Sequence, residues 1–146
     1  MYAASMSPIV AEQILMSTKI IMGKDGTTEG IDRLRQLERN THYFRKKLKQ
    51  KGFIIFGNED SPVVPLMLYF PSKIAEFVRQ LLRRGIATVG VGFPATSLTS
   101  ARARFCVSAA HTKDMLDEAL AMVEAAGRLI MVDYSQKQRC QEEIVY

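Results

Sequence analysis

Cysteine and histidine are both scarce in these 146 residues: Cys106, Cys140, His42 and His111 are all there are. Two thiols support neither a disulfide framework nor a zinc site, and they suit a reducing compartment. The four residues together match no metal-ligand spacing, so no metal is expected. His111 stands before a helix cap, where a structural hydrogen bond is its ordinary use. Long apolar runs are also missing, and none reaches the roughly 18 residues that a membrane helix requires. The opening residues lack the basic start and apolar centre of a signal peptide. No Ser or Cys occupies a G-x-S-x-G elbow. Gly23-Lys24-Asp25-Gly26 lacks P-loop spacing and reads as a turn. Gly90-x-Gly92-x-x-Ala95 comes close to a dinucleotide fingerprint, but Pro94 intervenes and no helix starts there to meet a pyrophosphate. Lys51 to Phe56 looks like an RNA-recognition strand, yet Ile54 stands where that motif has Gly or Ala.

What is present is ordinary in amount and uneven in placement. A hydrophobic fraction of 47% and a charged fraction of 24% fit one globular domain with a real core. The net charge of +5 is concentrated. Between Asp32 and Lys51 lie eight basic residues and two acids, which makes that segment +6 and the remainder −1. One reading is the solvated face of a helix; the other is a surface for an anionic lipid or nucleic acid.

Ser7-Pro8 signals a helix start, a hydroxyl N-cap followed by proline at the first helical position. The helix over 8–22 is apolar on several sides, which implies wide coverage by other protein. A second helix is predicted over 28–50, with Ile31, Leu34, Leu37, Phe44 and Leu48 as its stripe. Strands are predicted over 53–57, 63–70, 86–91 and 102–108. Pro65 cannot donate to a ladder, so the second of these has a bulge or an open edge there. Between strands two and three, Ser72 is expected to cap a helix striped by Ile74, Phe77, Val78, Leu81 and Leu82. Thr112 caps the last helix, with Asp114 in its first turn. Residues 134–146 form a polar tail, expected to be mobile. The order ααββαββα predicts an α/β (α+β) sandwich, its sheet mostly antiparallel with helices on one face.

The chemistry-bearing stretch is Ala101-Arg102-Ala103-Arg104-Phe105-Cys106-Val107-Ser108-Ala109-Ala110-His111-Thr112. Alternation puts Arg102 and Arg104 on one face of a strand. On pattern alone they are equally readable as surface arginines of an edge strand. Other unusual runs are Tyr2-Ala3-Ala4-Ser5-Met6-Ser7-Pro8, Gly52-Phe53-Ile54-Ile55-Phe56-Gly57-Asn58-Glu59, Val63-Val64-Pro65-Leu66 and Gly92-Phe93-Pro94-Ala95-Thr96. Together these runs resemble the α-oxoamine synthases, pyridoxal-phosphate enzymes that join an amino acid to an acyl-CoA. Within that family they are most similar to the catalytic subunits of the serine palmitoyltransferase type.

The resemblance implies the small C-terminal domain of a fold type I pyridoxal 5'-phosphate transferase over residues 1–133. Residues 1–25 would be the crossover from a large domain. It implies a decarboxylating condensation of L-serine with palmitoyl-CoA to 3-ketodihydrosphingosine, at the start of sphingolipid synthesis. The implied setting is the cytosolic face of the endoplasmic reticulum membrane, in a heterodimer with a homologous subunit. Membrane association would come through other parts or partners, and no nucleic acid is expected. Arg104 falls on the family's substrate-carboxylate arginine, and a planar bidentate donor suits that task. Pro94, Ala95 and Thr96 match a mobile loop over the substrate, although Ser97 stands where the family usually has a second proline. Ser5 keeps a hydroxyl in the segment that relatives place against the cofactor phosphate. The family's Schiff-base lysine and ring-binding partners have no counterpart here. No catalytic residue is therefore expected in this chain, and the chain alone is expected to be inactive. Two alternatives remain: another α-oxoamine synthase, of 5-aminolevulinate or amino-oxononanoate synthase type, or a non-catalytic module using the basic helix.

Overall fold

The computed structural model describes residues 6–132 and 146, in two compact units, Met1–Gln36 and Leu37–Tyr146. In the first unit, α1 (Pro8–Ile21) starts with Pro8 in its first turn after an extended Ser7, whose hydroxyl makes no capping bond. None of its residues is buried, and Ile9, Val10, Ile14 and Leu15 are exposed. The long α2 (Glu29–Gln50) opens here with Glu29 and Asp32 in its first turn, where the helix dipole favours acids.

The second unit is built on a three-stranded antiparallel sheet. Its strands are β1 (Val63–Tyr69), β2 (Val89–Val91) and β3 (Ala101–Cys106), in the order β1-β3-β2. Val64, Leu66, Leu68, Ala101, Ala103 and Phe105 face inwards and are buried. They pack with Phe44 and Leu48 of α2, Phe77 and Leu81 of α3 (Pro71–Arg83), and Leu120 and Val123 of α4 (Lys113–Leu129). This is the antiparallel sheet with helices on one face that the pattern predicts. The seating of α3 is close: a Cβ on Gly90 would lie 2.4 Å from Ile74 Cγ2.

Two predicted strands are shorter than their apolar runs, and the cause lies in the helix ends. At the end of α3, Gly85 has φ +83° and donates to Leu82 O, while Ile86 N–H donates to Leu81 O. This is a Schellman cap, and it takes Ile86 out of the ladder. The strand therefore begins at Val89 rather than 86. α2 ends in the same way, with Gly52 at φ +90° and Phe53 N–H donating to Leu48 O. What remains of the predicted strand over 53–57 is an isolated bridge, Ile55 to Leu66. The order is thus ααβαββα. A third correction concerns the start of α3. Pro71 takes a first-turn position after an extended Phe70, so Ser72 lies inside the helix and Phe70 stands at the cap. Thr112 does cap α4, accepting from Met115 N–H.

Pro65 sits where its missing donor does no harm. Phe56 N–H donates to Pro65 O, so both polar edges of Pro65 point away from β3, towards the irregular 54–56 segment. The irregularity in β1 falls later, between Met67 and Tyr69, where Tyr69 adopts φ +62°. Two buried polar side chains tie the loops to α2. Asn40 Nδ2 donates to Ser108 O at 3.0 Å and His111 O at 2.8 Å. Arg45 donates to the carbonyls of Phe56, Ser61 and Val63 at 2.9–3.1 Å, and burial pushes its pKa down.

Gly90→Ala is expected to destabilise the chain by about 1–3 kcal/mol through overpacking against Ile74. Gly92→Ala, whose Cβ would meet Ile74 Cδ1 at an ordinary 3.5 Å, is expected to cost well under that. Urea midpoints of the two variants check the difference. α4 closes with a Schellman pattern too, but Met131 holds the left-handed position at φ +51° and is exposed. Met131→Gly should raise stability by up to about 1 kcal/mol, the left-handed penalty less the glycine entropy cost; a fall in the midpoint would contradict this.

Candidate functional site

β3 is the central strand, not an edge, and this decides how its arginines are presented. Arg104 is flanked by Pro65 on β1 and Val89 on β2; Arg102 by Met67 and Val91. Their shared outer face is the one that the helices leave uncovered. Ala101, Ala103 and Phe105 are buried on the other side, as the alternation requires. Among the described residues, neither guanidinium has a hydrogen-bond or ion-pair partner on its side chain. A planar cation in that position can take a carboxylate through two parallel hydrogen bonds. Met67, Val89 and Val91 give the face apolar walls that the sequence did not point to, because they follow from strand register alone.

The loop over 92–97 leaves the sheet beside Arg102, since Val91 pairs with Arg102; Arg104 lies one outward position further along. Phe93, Pro94 and Ala95 are exposed, and the Phe93–Pro94 peptide is cis. Thr96 N–H donates to Gly92 O at 3.2 Å. The Thr96 hydroxyl oxygen is shielded from solvent and has no hydrogen-bond partner among the described residues. Ser97, the departure from the family's proline, donates from its hydroxyl to Ser100 Oγ at 2.6 Å, and Ser100 N–H returns a bond to Ser97 O. This pair restrains the loop where a proline ring would.

Ser5 lies outside the described residues. The described lysines stand on helices or turns: Lys19 on α1, Lys46, Lys47 and Lys49 on α2, Lys73 on α3, Lys113 on α4, and Lys24 and Lys51 after helix ends. Lys49 pairs with Glu59, Lys51 with Glu124 and Lys113 with Asp117. None lies on the sheet face of Arg102 and Arg104, so the described residues do not supply an aldimine lysine to that face.

The remaining candidates resolve as structural. His111 Nδ1 accepts from Ser108 N–H at 3.2 Å, a bond within the turn. His42 approaches Glu38 and Asp60 only at 3.8–3.9 Å. Among the described residues no group of His, Cys, Asp and Glu could hold a metal ion. The basic stretch is largely compensated. Arg33 pairs with Glu29, Arg35 with Asp32, Arg45 is buried, and Lys47 lies 5.7 Å from the centre of the Tyr43 ring. That favours a solvated helix face over a surface for polyanions. A cleft of about 420 Å³, lined by Phe44, Ile86, Phe105, Met115 and Met122 among others, lies apart from the arginines.

The family model for class I and II aminotransferases matches residues 1–123. Serine palmitoyltransferase 3 of Homo sapiens is 54% identical over 145 residues, 99% of this chain and 26% of its own length. Serine palmitoyltransferase 2 of Caenorhabditis elegans is 52% identical over 136 residues, 93% of this chain and 24% of that protein. A solved serine palmitoyltransferase with its PLP internal aldimine superposes with a TM-score of 0.68 at 28% identity, covering 70% of this chain and 26% of that one. The S. paucimobilis enzyme with a bound PLP–myriocin aldimine gives a TM-score of 0.66, with the same identity and coverage. The chain thus spans about a quarter of the length of these relatives.

A shielded hydroxyl without a partner costs stability, and replacing it by an apolar group of the same shape removes the cost. Thr96→Val in this chain is therefore expected to be neutral or to stabilise by up to about 1 kcal/mol. Thermal unfolding of the two forms checks this; a clear loss of stability would mean that the hydroxyl is bonded in solution.

Proposed function

Because the chain belongs to the class I and II aminotransferase family, we propose that it is the substrate-carboxylate half of a serine palmitoyltransferase active site. The reaction is the pyridoxal-phosphate-dependent condensation of L-serine with palmitoyl-CoA, with loss of carbon dioxide, to 3-ketodihydrosphingosine. The observation that carries the reading is Arg104: an exposed cation whose side chain has no partner among the described residues, on the open face of the central strand, in the run that resembles the family's carboxylate-binding strand. The names of the relatives at 54% and 52% identity support the choice of reaction.

When bound, the cofactor supplies an electron sink for a carbanion. The described residues do not form its seat, and no chemical step through it follows from them. Their part is orientation. Two parallel bonds from Arg104 fix the plane of the serine carboxylate, and with it the axis of the bond that joins the carboxyl carbon to the α-carbon. Pro94, Ala95 and Thr96 cover the substrate from the loop that leaves the sheet beside Arg102, and Ser5 faces the cofactor phosphate. In the whole enzyme, residues 1–25 connect this domain to a larger one. The assembly is a heterodimer with a homologous subunit at the cytosolic face of the endoplasmic reticulum. Among the described residues no helix is long and apolar enough to cross a membrane, so attachment rests on other parts or partners.

Arg104→Ala in the full-length enzyme is expected to weaken L-serine binding by roughly ten- to a hundredfold, the worth of one charge-assisted pair, with acyl-CoA binding far less affected. Arg102→Ala is expected to do less. Serine titrations followed by the cofactor's absorbance decide the matter, and unchanged serine affinity in the Arg104 variant would rule out the role. The chain of 146 residues, mixed with pyridoxal phosphate, should give only weak, scattered lysine adducts. A stoichiometric, serine-sensitive adduct would place the cofactor seat within it.

A further inference from the structure

Two guanidiniums share the open face of β3, and a serine carboxylate held in two parallel bonds occupies one of them. Arg102 is the other. It pairs in register with Val91, the last residue of β2, so it stands nearer than Arg104 to the loop over 92–97. It is half-buried, whereas Arg104 is exposed. The face grows drier in the same direction. Val89, beside Arg104, is 50% exposed, and Met67, beside Arg102, only 7%. Among the described residues the Arg102 side chain has no hydrogen-bond or ion-pair partner. A half-buried cation left unpaired is a cost to the fold, and its pull on an incoming negative charge is strengthened by the same dry surroundings.

We propose that Arg102 is a second catalytic cation, which takes the thioester carbonyl oxygen of the acyl-CoA as the carbon–carbon bond forms. This rests on the reading of the reaction given above. The electron pair at the serine α-carbon forms the bond to the thioester carbon, and the carbonyl π pair moves onto oxygen. That pair then returns, the carbon–sulfur bond breaks, and coenzyme A leaves as its thiolate. Only the oxygen gains and gives back a full negative charge in this sequence, so a donor aimed at it stabilises the transition state and not the bound substrates. Spacing supports the assignment. Residues two apart on a strand are about 6.4–6.8 Å apart along it. With the carboxylate on Arg104, the thioester oxygen is three bonds from the carboxyl carbon, within the span that two converging guanidiniums enclose. The phosphates of coenzyme A are the other anions available, but they lie at the far end of the pantetheine arm and cannot come beside the carboxylate site while the thioester reacts there.

The test uses the full-length enzyme and separates binding from turnover. In Arg102→Met, kcat should fall roughly a hundred- to a thousandfold, the worth of one donor to a developing oxyanion. Serine affinity, titrated by the cofactor's absorbance, and the KM for palmitoyl-CoA should change little, as they do when an interaction made only in the transition state is removed. Arg102→Lys keeps a cationic donor at the same strand position and should recover part of the loss. The thermal midpoint of Arg102→Met should be unchanged or raised, because no structural pairing is lost. An unchanged kcat would overturn the proposal. So would a serine affinity weakened as far as in Arg104→Ala, which would make Arg102 a carboxylate partner, or a lowered midpoint, which would make it an ion pair of the fold. Formation of the ketone by the unmodified enzyme reports on the reaction itself: its absence would sink that reading and this one together, whereas the variant results above would sink only the role of Arg102.

Discussion

The close seating of α3 on the sheet, with Ile74 over Gly90, is the constraint on which the rest of the second unit depends. Where α3 approaches the sheet this nearly, a side chain has no room at Gly90, and the neighbouring inward positions of β3 are the small Ala101 and Ala103. Once those positions face inwards, the pleat sends Arg102 and Arg104 outwards without further choice. The functional face is in this sense the reverse side of a packing solution. Desolvating either guanidinium against Ile74 or Val78 would be far costlier than burying a methyl group, so the register has little freedom to slip.

The arginines differ from the cations that this chain uses to hold its elements together. Lys49, Lys51, Lys113 and Arg128 pair with carboxylates, and the buried Arg45 donates to three carbonyls through its two terminal nitrogens. The Lys49, Lys51 and Arg45 contacts fix one loop or helix to another, while the Lys113 and Arg128 pairs lie within α4. Arg102 and Arg104 do neither, and they sit on a rigid central strand rather than on a loop. That combination, a positioned charge left for an incoming group, distinguishes a binding residue from a structural one.

Much of this is legible in the sequence, for reasons that can be named. Helical stripes such as Ile74, Phe77 and Leu81 are local, and so are Thr112 as a cap and the shared face of Arg102 and Arg104. The shortened strands are not. Whether Phe53 or Ile86 joins a ladder depends on whether its N–H is already engaged by the helix before it, and apolar content says nothing of that. The central place of β3 depends on which strands pair, which the order of elements leaves open. Burial of the Thr96 hydroxyl and the grip of Asn40 on a turn about 70 residues away are products of tertiary packing. Residues 133–145 lie outside the described part, so the expectation of a mobile tail is unaddressed there, whereas Tyr146 is ordered against α2.

Pro65 has a consequence for solubility. An outer strand normally presents a row of donors and acceptors on which another chain can crystallise its own strand. On the outer side of β1, Ile54 and Phe56 already occupy the acceptor and donor sites around Leu66, and at Pro65 the donor is missing altogether. A foreign strand arriving there would have to displace a bonded segment and then leave one of its own carbonyls dry. That flank of the sheet is guarded twice against sheet-to-sheet fusion, by the 54–56 segment and by the Pro65 ring, whose missing donor faces away from the native ladder.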